Sequence, residues 1–540
     1  MSVIPTYPGV YVEELSSGVR SVAAVPTSIT AFVGRALRGP TDTYDVPDQV
    51  PTVLNSFADY ERIFGGLWTE SSMSYAVRDF FQNGGAQALI VRLFQTSGGQ
   101  DNSHIVAATS VVGSPMRLIS ATPGSWGNRL RVTIDHDTRE PEQPGEALDS
   151  LFNIKIELVP DTGVASLQQR PDLGTRIEET YANVTCVPGL PNSLGTVLLN
   201  KSKLMRVETP ATTALRPDAG TVSVTVTADD GARLAIGNFN NGAGPRLGLN
   251  ALLRADLFNM LCIPPYLSTG EVEDLVITAA ATLCRSRRAF LILDSPAAWD
   301  EISDVTSVTT GVGTIANMVG TDNARNAAVF FPRLQMPNPL RQNQMETFAS
   351  CGAVAGVFAR TDVQRGVWKA PAGLDAGLTG TSALSVPMTD AENGQLNPLG
   401  VNCLRAMPGT GPVIWGSRTL RGADRLADTD WKYIPVRRLA LFLEESIFRG
   451  TQWAVFEPND EPLWSQLRMN IGAFLQTLFR QGAFQGSSPR EAYFVKCDRS
   501  TTTQTDINNG IVNILIGYAP LKPAEFVILK FQQMAGQIAA

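Results

Sequence analysis

Ala289-Phe290-Leu291-Ile292-Leu293-Asp294 is an unbroken apolar run closed by one carboxylate. Its length suits a strand rather than a helix, and a strand without polar alternation must be covered on both faces, as strands of a parallel sheet are. The flanks agree. Leu257-Phe258-Asn259-Met260-Leu261-Cys262-Ile263 is a second such run, Glu271 to Arg285 is an amphipathic helix between the two, and a further helix precedes Ala327-Ala328-Val329-Phe330-Phe331. Strands alternating with helices predict a middle α/β domain over residues 250–354. Asp294 stands at the C-terminal end of a buried strand, where open α/β sheets place their sites, but Asp294-Ser295-Pro296 serves equally as a turn or helix cap, and a cap is the expected role.

Working outward, Ser28 to Arg35 reads as a strand, Ser56 to Gly65 as a capped helix, Met73 to Gln82 as a second helix and Ala88 to Leu93 as a strand. Residues 103–249 change character: Arg129–Asp135, Phe152–Leu158 and Thr221–Thr227 alternate strictly, the pattern of sheets wet on one face, and predict a mostly β peripheral insertion. In the last third, Tyr433–Arg449 and Pro462–Gln481 read as long helices. On the second, Trp464, Leu467, Ile471, Phe474, Leu475 and Leu478 form one apolar stripe, expected to be core. Strands are predicted at Tyr493–Cys497, Ile511–Ile516 and Phe526–Phe531.

The two ends share a design. Tyr7-Pro8-Gly9-Val10-Tyr11-Val12-Glu13-Glu14 and Pro520-Leu521-Lys522-Pro523-Ala524-Glu525-Phe526-Val527-Ile528-Leu529-Lys530-Phe531 are β-prone runs entered through proline. Such arms carry unpaired backbone donors and acceptors that another chain can complete by strand addition. Tyr7, Gly9, Val10, Tyr11, Val12 and Glu13 at one end, and Glu525, Phe526, Val527, Ile528, Leu529, Lys530 and Phe531 at the other, are the expected strand-exchange residues.

Several strings resemble a known family. Ala355-Gly356-Val357-Phe358-Ala359-Arg360-Thr361-Asp362-Val363-Gln364-Arg365-Gly366-Val367-Trp368-Lys369-Ala370-Pro371-Ala372-Gly373 is joined by Thr122–Asn128, Val413–Leu420, Val436–Leu439 and Trp453–Asn459. With the two ends, they resemble the sheath proteins of contractile phage tails and phage-tail-like injection systems. The resemblance covers the N-terminal hundred residues and nearly everything after Ala355; between Ser103 and Asn250 only the Trp126 string carries it. It implies an α+β and α/β multidomain chain whose N- and C-terminal regions build one inner domain, with the middle inserted outward. The expected division is an arm at 1–25, an inner domain from 26–102 and 355–519, the insertion at 103–249, the middle domain at 250–354 and an arm at 520–540.

The same resemblance implies a non-enzymatic subunit that polymerises as a helix of stacked rings around an inner tube. Its other partners would be baseplate and terminal cap proteins. On triggering, the array shortens and drives the tube through a target envelope without consuming nucleotide. It further implies that the Pro462–Gln481 helix, with Arg468, Arg480 and Arg490, faces the tube.

Composition narrows the classes. At 540 residues several domains are expected, and 44% hydrophobic with 18% charged residues is the balance of a soluble globular protein. No apolar run is long enough to span a bilayer and no secretory signal opens the chain, so cytoplasmic folding and assembly into a particle are expected, without membrane insertion. A net charge of −7 argues against coating nucleic acid. Six cysteines without a Cys-x-x-Cys pair fit reduced, buried thiols. His104 and His136 are the only histidines, and neither has a triad motif around it. Asp135-His136-Asp137 fixes no ligand geometry, and Gly409-Thr410-Gly411 falls short of a dinucleotide fingerprint, so neither metal nor cofactor is expected. The competing readings are an α/β hydrolase-like enzyme and a non-contractile shell protein.

Overall fold

The Ala289–Asp294 run forms the middle of an eight-stranded sheet. The computed structural model describes residues 21–531 apart from 42–48, 108–115, 143, 145, 160–176, 210–215, 241–245 and 267–270. Its central strands are β1 (Thr30–Gly34), β2 (Thr52–Leu54), β3 (Ala88–Arg92), β4 (Met260–Cys262), β5 (Phe290–Asp294), β6 (Ala327–Phe331), β7 (Val401–Met407) and β8 (Gly411–Ile414). They lie in the order β8-β7-β6-β5-β4-β1-β3-β2, parallel except for β2 and β8 at the two edges. Every residue of β1, β3, β4 and β6 is buried, as unbroken apolar strands covered on both faces require.

The covering helices are α1 (Phe57–Phe64), α2 (Ser72–Gln82), α3 (Asp274–Ser286), α4 (Val312–Val319) and α5 (Cys351–Arg365). The first is capped as its sequence predicts: Ser56 Oγ accepts from the Asp59 amide at 3.1 Å, and Gly65 ends the helix at φ +88°, where glycine carries no Cβ penalty. Helices α2 and α5 approach backbone to backbone. A Cβ on Gly356 would lie 2.5 Å from the Phe80 carbonyl oxygen, and one on Gly352 would overlap the Ala76 carbonyl.

Strands of the 103–249 stretch form two further antiparallel sheets. In Leu130–Asp135, Leu130, Val132 and Ile134 are buried while Arg131 and Thr133 are half-buried, the expected one-sided alternation. Leu151–Leu158 breaks it at Glu157, whose buried carboxylate is held by Arg131 at 2.8 Å and Lys155 at 3.0 Å. The predicted Thr221–Thr227 strand is shorter. Gly220–Ser223 pairs with Leu130–Asp135, and the chain then turns to the other sheet, where His104 donates to the Val226 carbonyl at 2.9 Å.

The strand ladders run across the expected domain division. Residues 26–102 do not share a unit with 355–519 apart from 250–354. Instead, β1 pairs with both β3 and β4, so the N-terminal strands, the middle strands and β7 share one sheet, with Ala31, Leu261, Leu291, Val329 and Val401 in one core. The physical reason is that buried parallel strands choose partners by packing, not by nearness in sequence. Two compact units result among the described residues: 27–364 with 370–434, and 21–26 with 365–369 and 435–531. Within the first, Leu37 and Trp68 join the core of the 103–249 sheets around Trp126, Val132 and Phe152, so that insertion is not walled off at residue 103.

Candidate assembly surface

The second unit is built on α6 (Ile434–Thr451) and α7 (Glu461–Arg480). The apolar stripe of α7 is core, as expected: Ile471, Phe474, Leu475 and Leu478 pack with Leu439, Phe442 and Leu443 of α6. Val22 belongs to the same cluster, and the Val25 amide donates to Ser446 Oγ at 3.2 Å. The first described residues therefore fold with the last hundred, the shared plan the sequence suggests, though with six described N-terminal residues rather than 26–102.

Against this core lies a two-stranded sheet, β9 (Tyr493–Lys496) with β10 (Leu515–Tyr518), in antiparallel register Tyr493↔Tyr518 to Lys496↔Leu515. Tyr493, Val495, Ile516 and Tyr518 turn inward. On the other face Phe494 is 47% and Leu515 53% exposed, and the Phe494 ring occupies the space a Cβ on Gly517 would need. Among the described residues each strand has one ladder partner, so each keeps one free edge. The predicted Ile511–Ile516 strand starts late because Asn513 is held elsewhere, its amide donating to Thr502 Oγ1 at 3.0 Å.

Among the described residues the predicted C-terminal strand has no ladder partner. None of residues 521–531 exchanges a backbone–backbone hydrogen bond among the described residues, and Phe526, Val527, Ile528, Leu529 and Phe531 are 71–91% exposed. Lys530 is exposed and Glu525 half-buried. Tyr7, Gly9, Val10, Tyr11, Val12 and Glu13 lie outside the described residues. Of the three arginines, Arg468 is committed, donating to Glu461 Oε1 at 2.6 Å and to the Cys497 carbonyl. Arg480 and Arg490 are exposed and form no ion pair among the described residues.

Groups that looked chemical are spent on structure. Asp294 Oδ1 accepts from the Ser350 and Cys351 amides at 2.7 and 2.8 Å, capping the start of α5 rather than its own turn. A cavity of about 470 Å³ lies beside it, lined by Ile292, Trp299, Ile315, Met318 and Arg333. His136 Nε2 lies 2.8 Å from the Pro217 carbonyl, and all six cysteines are buried; burial pushes the Cys186 and Cys403 thiols up to about 11 and 12. Arg360 donates to the Gly377 and Asn83 carbonyls at 2.7 and 3.2 Å.

One organiser escaped the sequence reading. Buried Arg92 donates to the carbonyls of Ala36, Gly39 and Pro123 at 3.0, 2.8 and 2.8 Å, tying the end of β3 to the Thr122–Asn128 string. An arginine ending an otherwise apolar strand was the signal available.

Family comparisons meet this geometry. The phage tail sheath protein central domain matches residues 247–420 and the phage tail sheath C-terminal domain residues 427–534, together just over half of the chain. The chain belongs to the phage tail sheath family. A prophage major tail sheath protein of Pseudomonas aeruginosa is 26% identical over 294 residues, 53% of this chain and 68% of that protein. The tail sheath protein of Vibrio phage KVP40 is 28% identical over 181 residues; the alignment covers 33% of this chain and about a quarter, 26%, of that longer relative. In fold, this sheath-family chain resembles the sheath complex of the extracellular contractile injection system PVC in its contracted state. The TM-score is 0.56 at 21% identity, covering 99% of both chains. The free-edged sheet and the bare C-terminal segment both fall within the matched C-terminal domain.

Proposed function

We propose that this chain is the structural subunit of a contractile sheath. It polymerises helically around an inner tube and, released at a baseplate, rearranges into a shorter, wider array that drives the tube through a target envelope. The particle is a phage tail or a phage-tail-like injection system, assembled in the cytoplasm and closed by a cap protein. Work comes from the free-energy difference between two packings of the same folded subunits. Family membership speaks against the hydrolase-like reading, and two distinct lattice geometries separate a contractile sheath from a static shell.

One observation carries the mechanism: a two-stranded sheet with free edges and an exposed, β-prone apolar segment occur in the same unit. Two edges suit two arms from neighbouring copies, residues 7–13 and 525–531. Each ladder hydrogen bond contributes about 0.5–1.5 kcal/mol net. Each large apolar side chain taken from water adds roughly 1.5–3 kcal/mol. A handful of both holds subunits together while rigid surfaces slide. Arg480 and Arg490, without an ion pair among the described residues, are then the cations left for the inner tube.

Removing residues 521–540, or residues 1–20, is expected to leave a folded monomer that forms no sheaths in negative-stain micrographs. Sheaths of normal length from either truncation would end the strand-exchange reading.

A further inference from the structure

Trp453-Ala454-Val455-Phe456-Glu457-Pro458-Asn459 takes no part in the exchanged ladders, yet it is held in place at both ends. Trp453 and Ala454 pack with Ile507, Val512 and Ile514 around buried Leu463, Trp464 and Leu467. Asn459 Nδ2 donates to the Ile511 carbonyl at 3.0 Å, and Trp464 Nε1 donates to Asn459 Oδ1 at 2.9 Å. Between these anchors Val455 is 63% exposed and Phe456 fully exposed. Phe456 also sits at φ +69°, a left-handed backbone that a bulky side chain adopts only where its surroundings impose it. The fold thus spends backbone strain to hold an aromatic ring in water, with no return among the described residues.

We infer that Val455 and Phe456 form a docking knob for residues 526–531 of a second copy of this chain, seated along the free edge of β10. This rests on the strand-exchange reading and gives it an address. Three observations select the occupant. The loop is hydrogen-bonded to Ile511, four residues ahead of β10, so the knob continues an apolar surface through half-exposed Ile511 and Leu515 to the open edge. Residues 526–531 carry matching chemistry, five large apolar side chains facing solvent, with an aromatic at either end. Length also fits. A six-residue strand spans about 20 Å and the four-residue edge about 13 Å, so a strand that overhangs at Leu515 runs along 511–514, where the loop is packed. Phe526 or Phe531, at the end of the incoming strand, then meets Phe456.

The test is site-specific. A photo-crosslinking phenylalanine analogue is placed at position 456 of the full chain, sheaths are assembled with isotopically labelled copies, and the products are mapped by mass spectrometry. A crosslink to the 521–540 peptide of another copy, present in sheaths and absent in monomers, is expected. A crosslink to the tube protein, to any other part of the sheath subunit, or to nothing, overturns the inference. In parallel, Phe456→Gly removes ring and strain together. The monomer should melt at the same temperature or higher while the critical concentration for assembly rises roughly fivefold or more, and Phe456→Tyr should assemble as the parent does. If Phe456→Gly assembles normally while truncation at 521 still blocks assembly, the knob is wrong and strand exchange stands. If the truncation assembles normally, both fall.

Discussion

Gly356 shows how little room single residues have in this fold. A Cβ there would lie 2.5 Å from the Phe80 oxygen and 2.6 Å from Asn83 Cβ, so helices α2 and α5 would have to separate. Gly356→Ala is expected to cost about 1–3 kcal/mol, read as a lower denaturation midpoint. Asp79 makes a second prediction. It is buried in α2, its Oδ1 bonded to Arg78 at 2.9 Å, and burial pushes its pKa up from 3.8 to about 6. A carboxyl whose folded pKa is raised contributes stability that is complete below its unfolded value, near 4, and is lost as pH rises through about 6. Asp79→Asn should therefore stabilise the protein at pH 8, by up to about 3 kcal/mol, with the gain vanishing by pH 4. Equal melting shifts at both pH values would contradict this account.

At the scale of elements, the C-terminal segment offers the sharper test. Val527→Pro with Leu529→Pro removes two backbone donors from residues that make no backbone–backbone hydrogen bond among the described residues. Monomer stability should stay within about 0.5 kcal/mol, the range of exposed substitutions, while sheath assembly measured by sedimentation is lost. Elements were largely legible in the sequence because their signals are local. The buried Phe290–Asp294 strand announces itself by unbroken apolar residues, α7 by its stripe, and α1 by Ser56 and Gly65. What was not legible is partner choice. Nothing in the β1 sequence says that it pairs with β4, more than two hundred residues away, and that ladder crosses the expected domain boundaries. The free-edged sheet was hidden for the same reason: a free edge exists only once β9 and β10 have found each other, and β10 begins at Leu515 because Asn513 is bonded to Thr502.

At the scale of the whole molecule, the proposed tube contact is a matter of charge. Arg468 is already satisfied by Glu461, whereas Arg480 and Arg490 are exposed. Arg480→Glu with Arg490→Glu is therefore expected to leave sheath formation intact and to weaken co-sedimentation with the inner tube, most visibly at low salt. Arg468→Glu should instead destabilise the subunit, since it sets a carboxylate against Glu461 and strips a donor from the Cys497 carbonyl. Tube binding unchanged by the double reversal would assign the tube contact to other residues.

Residues 21–26 fold with residues 435–531, so the first part of this unit to be translated waits for the last. Roughly 400 residues must follow, which at 5–20 residues per second takes about 20 to 80 seconds. Until then, neither the β9–β10 sheet nor the 525–531 segment is available. If arms are exchanged as proposed, a ribosome-bound or prematurely terminated chain offers no site from which filaments of unfinished copies could grow.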